Sequence, residues 1–166
     1  MRVFHVALAA LAWLPLCAQN PVRLRVDAID APRRLFHVQM TIPAQPGSMT
    51  LLYPEWIPGE HMPSGPIVNL VGLKIQAGGQ TIAWRRDSVN MYAFHIDVPA
   101  GASSLDAAFD FISPPEEGGF SSGSSATSEL AVLNWNQLLL YPQGAPADSL
   151  QYQATLRVPP DRKSVV

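Results

Sequence analysis

Between Val22 and Val158, apolar residues return at every second position, and prolines keep cutting the pattern short. In VRLRVDA, Val22, Leu24, Val26 and Ala28 share one face, and Arg23, Arg25 and Asp27 share the other. LFHVQMTI places Phe36, Val38, Met40 and Ile42 opposite His37, Gln39 and Thr41. YAFHIDV sets Tyr92, Phe94, Ile96 and Val98 against His95 and Asp97. LDAAFDF sends Leu105, Ala107, Phe109 and Phe111 inward, and YQATLRV does the same with Tyr152, Ala154, Leu156 and Val158. A period of two is the signature of strands with one buried and one wet face, as in antiparallel sheets. Sixteen prolines in 166 residues stop helices and central strands alike. No stretch carries a helical stripe of three turns. The pattern predicts an all-β chain, an antiparallel β-sandwich of about seven to nine short strands joined by long Pro/Gly-rich loops.

Turn chemistry agrees. LKIQA-GG-QTIAW reads as a hairpin closed by Gly78 and Gly79, the residues a tight turn with positive backbone angles requires. APRR, PAQPGS, RRDS, PAGAS and PQGAPADS are turn sequences. The apolar ELAVLNWNQLLLY is compatible with a buried strand pair or a short helix; Asn134 and Asn136 around Trp135 favour strand or bend. SPPEEGGFSSGSSATS, Ser113 to Ser128, is a long glycine- and serine-rich loop, of the kind that is functional or mobile.

The N-terminus reads as a targeting signal, residues 1–18. Arg2 supplies the positive start, and Val6 to Leu16 is an apolar run too short to span a bilayer. Cleavage is expected after Ala18, which places the mature protein in the periplasm or outside the cell. Leu16 stands where a lipoprotein signal has a small residue before its cysteine, here Cys17, so lipidation is not the expectation. Removing Cys17, the one cysteine, leaves no disulfide. A single β-domain is expected over residues 19–160, and DRKSVV, 161–166, is expected to be a foreign tail that closes no structural element. A formal charge of −2 with 14% charged residues gives no electrostatic reason for nucleic acid or, after signal cleavage, a membrane as partner.

GFSSG, Gly119 to Gly123, fits the nucleophile pattern G-x-S-x-G with Ser121 at its centre. That motif needs a strand running into the serine and a helix leaving it, and this context supplies neither. The mature histidines, His37, His61 and His95, lack H-E-x-x-H spacing and read as satisfied surface residues. Glu116 and Glu117, neighbours in a loop, read as solvated. No catalytic residue and no metal ligand is expected in this chain, and no cofactor.

The segment LLYPEWIPGEHMPSGPI, Leu51 to Ile67, holds four prolines, two glycines and an aromatic pair. Pro54, Pro58, Pro63 and Pro66 stiffen it, while Gly59 and Gly65 permit turns. Trp56 offers a broad apolar face with one donor. Glu55, Glu60 and His61 are candidates to line a cleft. A rigid structural corner and a contact site for ligand or partner both fit these residues.

With Pro54, Trp56, Pro58 and Gly59, the P-x-W-x-P-G element resembles the N-terminal domain of the glycyl aminopeptidase-like zinc metallopeptidases. GGQTIAW, RRDSVNMYAFHIDVPAG, LDAAFDFI and LAVLNWNQLLLYP follow in that family's order, and the likeness runs from about Val22 to Pro160. Glu60-His61 departs from the Ser-Tyr common in the family. The resemblance implies a β-domain preceding a thermolysin-like catalytic domain that holds zinc through H-E-x-x-H. No such motif occurs here. The expected role is therefore a non-catalytic fragment that packs against the missing catalytic domain of its parent, shapes the cleft for a peptide substrate, exposes an apolar seam alone and is inactive by itself. The alternative is a free-standing secreted module that binds carbohydrate or protein through Trp56, Tyr53 and the Ser113–Ser128 loop.

Overall fold

The computed structural model describes residues 20–114 and 123–163. The expected signal peptide, Glu116, Glu117, Ser121 and residues 164–166 lie outside the described residues. Among those described, twelve strands form: β1 (Val22–Asp27), β2 (Leu35–Pro43), β3 (Gly47–Leu52), β4 (Leu70–Ala77), β5 (Gln80–Ile82), β6 (Trp84–Arg86), β7 (Ala93–Val98), β8 (Ser104–Ile112), β9 (Ser125–Ala126), β10 (Ala131–Val132), β11 (Tyr141–Pro142) and β12 (Tyr152–Arg157). Five of these have three residues or fewer. The remaining seven carry the fold, and they are the segments the alternation predicts plus β3 and β4.

Six strands build a large sheet in the order β12-β1-β2-β8-β4-β5, and four build a second in the order β11-β3-β7-β6. The longest ladder joins β2 to β8 over nine residue pairs, from Leu35 opposite Ile112 to Pro43 opposite Ser104. Phe36, Val38, Met40 and Ile42 of β2 and Leu105, Ala107, Phe109 and Phe111 of β8 are all buried. They share one core with Leu51 of β3 and with Phe94, Ile96 and Val98 of β7, the hallmark of two sheets packed face to face.

The crossing between sheets rests on a bulge. The β4–β8 register slips between Val71 and Lys74, where Gly72 takes φ +65°. The Leu73 carbonyl beside it accepts the indole N–H of Trp84 at 3.1 Å, which pins β6 of the small sheet to β4 of the large one. Trp84 then meets the Phe94 ring edge to face at 5.4 Å. The β4–β5 hairpin turns through Gly78 and Gly79 at φ +56° and +81°, as the two-glycine sequence predicts.

Two expectations are corrected. β12 pairs with β1 in parallel, Val22 opposite Tyr152 and Val26 opposite Leu156, where the other described ladders are antiparallel. Its apolar face is also largely uncovered: Tyr152 and Val158 are half-buried, while Ala154 and Leu156 are exposed. The register puts these residues on the face of Val22, Leu24 and Val26, so the parity is right and only the cover is absent. A six-stranded sheet overhangs a four-stranded one, and β12 is the overhanging edge. The ambiguous ELAVLNWNQLLLY becomes a mixture: β10, a 3-10 turn at Trp135–Gln137, then β11. No helix among the described residues is long and apolar enough to cross a membrane.

Candidate functional site

The proline-rich segment leaves β3 at one end of the sandwich and returns to β4 through a 3-10 turn at Ile67–Asn69. Its first anchor is Tyr53, wholly buried, whose N–H donates to the Tyr92 carbonyl at 2.9 Å. The Tyr53 hydroxyl donates to the Gln137 carbonyl at 2.8 Å. Burial drives its pKa well above the tyrosine norm, so it stays a donor. This residue therefore holds the corner from inside and offers no surface to a ligand.

Pro58 and Gly59 form a tight turn in which the Glu60 N–H donates to the Ile57 carbonyl at 3.0 Å. Gly59 sits at φ +87°, which a proline-glycine pair reaches cheaply. Ile57 beside it is buried and roots the turn. Farther on, the Gly65 N–H donates to the Glu55 carbonyl at 2.8 Å. A Cβ at Gly65 would run into the Pro54 carbonyl oxygen and lie 3.0 Å from the Glu55 Cα. Only glycine lets the two arms of the loop close this tightly. The Tyr92 hydroxyl adds a long bond to the Pro63 carbonyl at 3.4 Å.

A rigid frame thus displays a small exposed group. Trp56 is 61% exposed, Met62 62% and Val68 79%. Glu55 and Glu60 are half-buried, and His61 is exposed. Glu55 stands near Tyr141, whose pKa is raised first by burial and second by that carboxylate. The motif residues Pro54, Trp56, Pro58 and Gly59 are brought together as one corner, with Trp56 outward.

Beneath the corner lies a buried network that sequence reasoning missed. The Gln137 side-chain oxygen accepts the Ser124 N–H at 2.8 Å. The Ser124 hydroxyl oxygen accepts the Asn134 N–H at 2.9 Å, and the Ser113 hydroxyl donates to the Ser124 carbonyl at 3.1 Å. Ser113, Ser124 and Gln137 are all buried. Polar residues buried this deep need partners, and each finds them in the others. Nothing in a serine-rich stretch distinguishes the two inward serines from their solvated neighbours.

The histidines do not converge. His37 lies on the large sheet between Asp110 at 2.7 Å and Asp30 at 3.1 Å. His95 lies on the small sheet between Thr50 at 3.0 Å and Asp87 at 2.8 Å. Among the described residues no three His, Cys, Asp or Glu side chains gather to hold a metal ion. The donor sets do not fit zinc, since each strand histidine is committed to neighbouring carboxylate or hydroxyl groups. One open hollow, lined by Arg23, Arg25, Gln39, Thr41, Lys74 and Asp106, lies on the outer face of the large sheet. Met40, Ala107 and Ala108 add apolar surface to its lining, and none of the corner residues reaches it.

The family model described as the peptidase M61 N-terminal domain matches residues 23–166. Among solved structures, an aminopeptidase N family protein from Idiomarina loihiensis superposes with a TM-score of 0.69 at 18% identity, over 84% of this chain and 22% of that one. A two-domain M1 zinc metallopeptidase bound to L-tryptophan gives 0.40 at 13% identity, over 82% and 31%. An M1 zinc metallopeptidase from Deinococcus radiodurans, bound to a Tyr-Ser-Ala substrate, gives 0.38 at 14%, over 83% and 31%. The chain therefore spans less than a third of each of these proteins. At such identity the first likeness speaks to the fold. No curated protein matches the sequence.

Proposed function

The chain belongs to the family of peptidase M61 N-terminal domains, and on that premise we propose that it serves as the non-catalytic β-domain of a secreted zinc aminopeptidase. In this reading it packs against a catalytic domain of the same parent protein and shapes one wall of the cleft that takes the peptide's amino end. Zinc, which would activate the attacking water, belongs to that other domain; this chain supplies position and shape only.

One observation carries the reading: Trp56, a large aromatic, is held 61% exposed on a loop fixed from both sides. Exposed aromatics on a preorganised frame are anchors for a partner surface. Met62 and Val68 are further exposed apolar residues of the same segment, and Glu55, Glu60 and His61 are the ionisable residues of the loop that would face a substrate's ammonium group or backbone. Secretion is supported by Arg2 and the Val6–Leu16 run, with the periplasm or the exterior as destination.

The test is the coding DNA downstream of codon 160. A frame that continues into a domain with H-E-x-x-H supports the reading. A native stop codon at that point overturns it and favours the free-standing module that binds carbohydrate or protein.

A further inference from the structure

His37 sits on the wet face of the large sheet with both ring nitrogens against carboxylates. Nδ1 lies 2.7 Å from Asp110 Oδ1, and Nε2 lies 3.1 Å from Asp30 Oδ2. A neutral imidazole has one N–H and one bare lone pair, so one of its nitrogens would point a lone pair at a carboxylate oxygen. Only the imidazolium donates to both. The two aspartates come from different elements: Asp110 belongs to β8, and Asp30 opens the 3-10 turn at Ala31–Arg33. In its charged form His37 therefore pins that turn to the sheet.

The turn has a downstream connection. It ends at Arg34, the one non-glycine described residue with positive φ, at +62°. The Arg34 carbonyl accepts the Ser113 N–H at 2.8 Å. Ser113 then binds Ser124, and Ser124 binds Gln137, beneath the tryptophan corner. We propose that Asp30, His37 and Asp110 form a proton-operated clamp that governs the hold on the Ser113–Ser124–Gln137 anchor. A left-handed arginine is a strained backbone that persists because its surroundings impose it. Releasing Asp30 removes one of those constraints.

Arg25 of β1 lines the same hollow as His37, together with Asp27 and Arg157. Asp27 lies directly across the β1–β2 ladder, where its carboxylate takes Arg157 at 2.9 Å and the Ile29 N–H. Arg33 pairs with Asp30 at 3.4 Å. The hydrogen bonds to Asp110 and then Asp30 outweigh partial burial and raise the His37 pKa above the usual value of about 6.5. A folded value above the unfolded one means the clamp's contribution is complete below about pH 6.5 and disappears as pH rises through the folded midpoint. The clamp stands whatever surface the tryptophan corner meets.

The experiment is a nitrogen-15 NMR titration of the whole chain from pH 5 to 9, with hydrogen-exchange protection corrected for base catalysis. His37 is expected to titrate above the ordinary midpoint, and protection of the Ser113 and Ser124 amides is expected to fall at least threefold across the same step. Asp110→Asn should lower the midpoint. His37→Arg, cationic throughout the range, should abolish the step. A His37 midpoint at or below the ordinary value, or amides that ignore its titration, overturns the proposal. Both readouts lie within this chain, so failure of the aminopeptidase reading leaves the result intact.

Discussion

The Tyr53 hydroxyl and the Gln137 carbonyl, 84 residues apart in sequence, are joined by a 2.8 Å hydrogen bond in the interior. It fastens the base of the tryptophan loop to the turn that also holds Ser124. Tyr53→Phe keeps the ring and removes the donor. The expected loss is about 1–2 kcal/mol, from a buried carbonyl deprived of this partner. Urea denaturation with an unchanged slope measures it. A loss near zero would mean that water replaces the hydroxyl.

Two glycines in the corner should respond unequally. Gly65→Ala drives a methyl group into the Pro54 carbonyl, a clash with backbone that cannot step aside. About 2–3 kcal/mol of destabilisation is expected. Gly59→Ala meets open space but must adopt φ +87°, at a cost of about 1–2 kcal/mol. Thermal melts of the pair rank the two effects, and the reverse order would discredit the close approach at Gly65.

Trp56→Ala separates stability from function. With the ring mostly in solvent, the melting point of this chain should hardly move, within about 0.5 kcal/mol. In a longer protein carrying a catalytic domain, the same change should weaken domain docking and reduce kcat/KM by about tenfold, equivalent to about 1.4 kcal/mol. Peptide hydrolysis assays on that longer protein, at matched folded fraction, decide it.

Asp87 is expected to contribute to the acid limb of stability. Its carboxylate accepts the Asn90 N–H, then His95 Nε2, then the Val89 N–H, and these bonds hold its pKa well below the usual carboxylate range. A folded value below the unfolded one contributes stability above about pH 4, lost as pH falls from there toward the folded value. Asp87→Asn keeps an oxygen to cap the turn but carries no charge to titrate. The wild type should lose more stability than the variant between pH 5 and pH 2. Parallel acid curves for the two would remove Asp87 from the account.

Leu156→Thr tests the overhanging edge. Leu156 is 36% exposed on a strand with one neighbour, so a β-branched polar residue should hold the strand and change stability by less than about 0.5 kcal/mol. Light scattering at high concentration should fall, because an exposed apolar edge is a site of self-association. Unchanged scattering would place the sticky surface elsewhere.

The fold was legible where one face is buried along its whole length. Phe36 to Ile42 and Leu105 to Phe111 announce their inward faces by simple alternation, and all of those apolar positions are buried. Tyr152 to Leu156 carry the same signal and yet stay largely open, since a pattern reports parity but not whether anything lies above the strand. The parallel β1–β12 pairing was hidden for a related reason: it joins residues 130 positions apart, and nothing local encodes direction. Within the site, Pro54, Trp56, Pro58 and Gly59 stood out by composition. Ser113, Ser124 and Gln137 did not, because hydrogen bonding between distant polar residues leaves no period and no motif.

The first strand's outer neighbour is the last of the described strands in chain order. On the ribosome, Val22–Asp27 must wait, with a bare edge, until Arg157 has emerged. Such sequence-distant closure is slow to nucleate, because the strands between them must already be arranged before this ladder can zip. A nascent chain stalled before Tyr152 would present that edge to other copies and to chaperones.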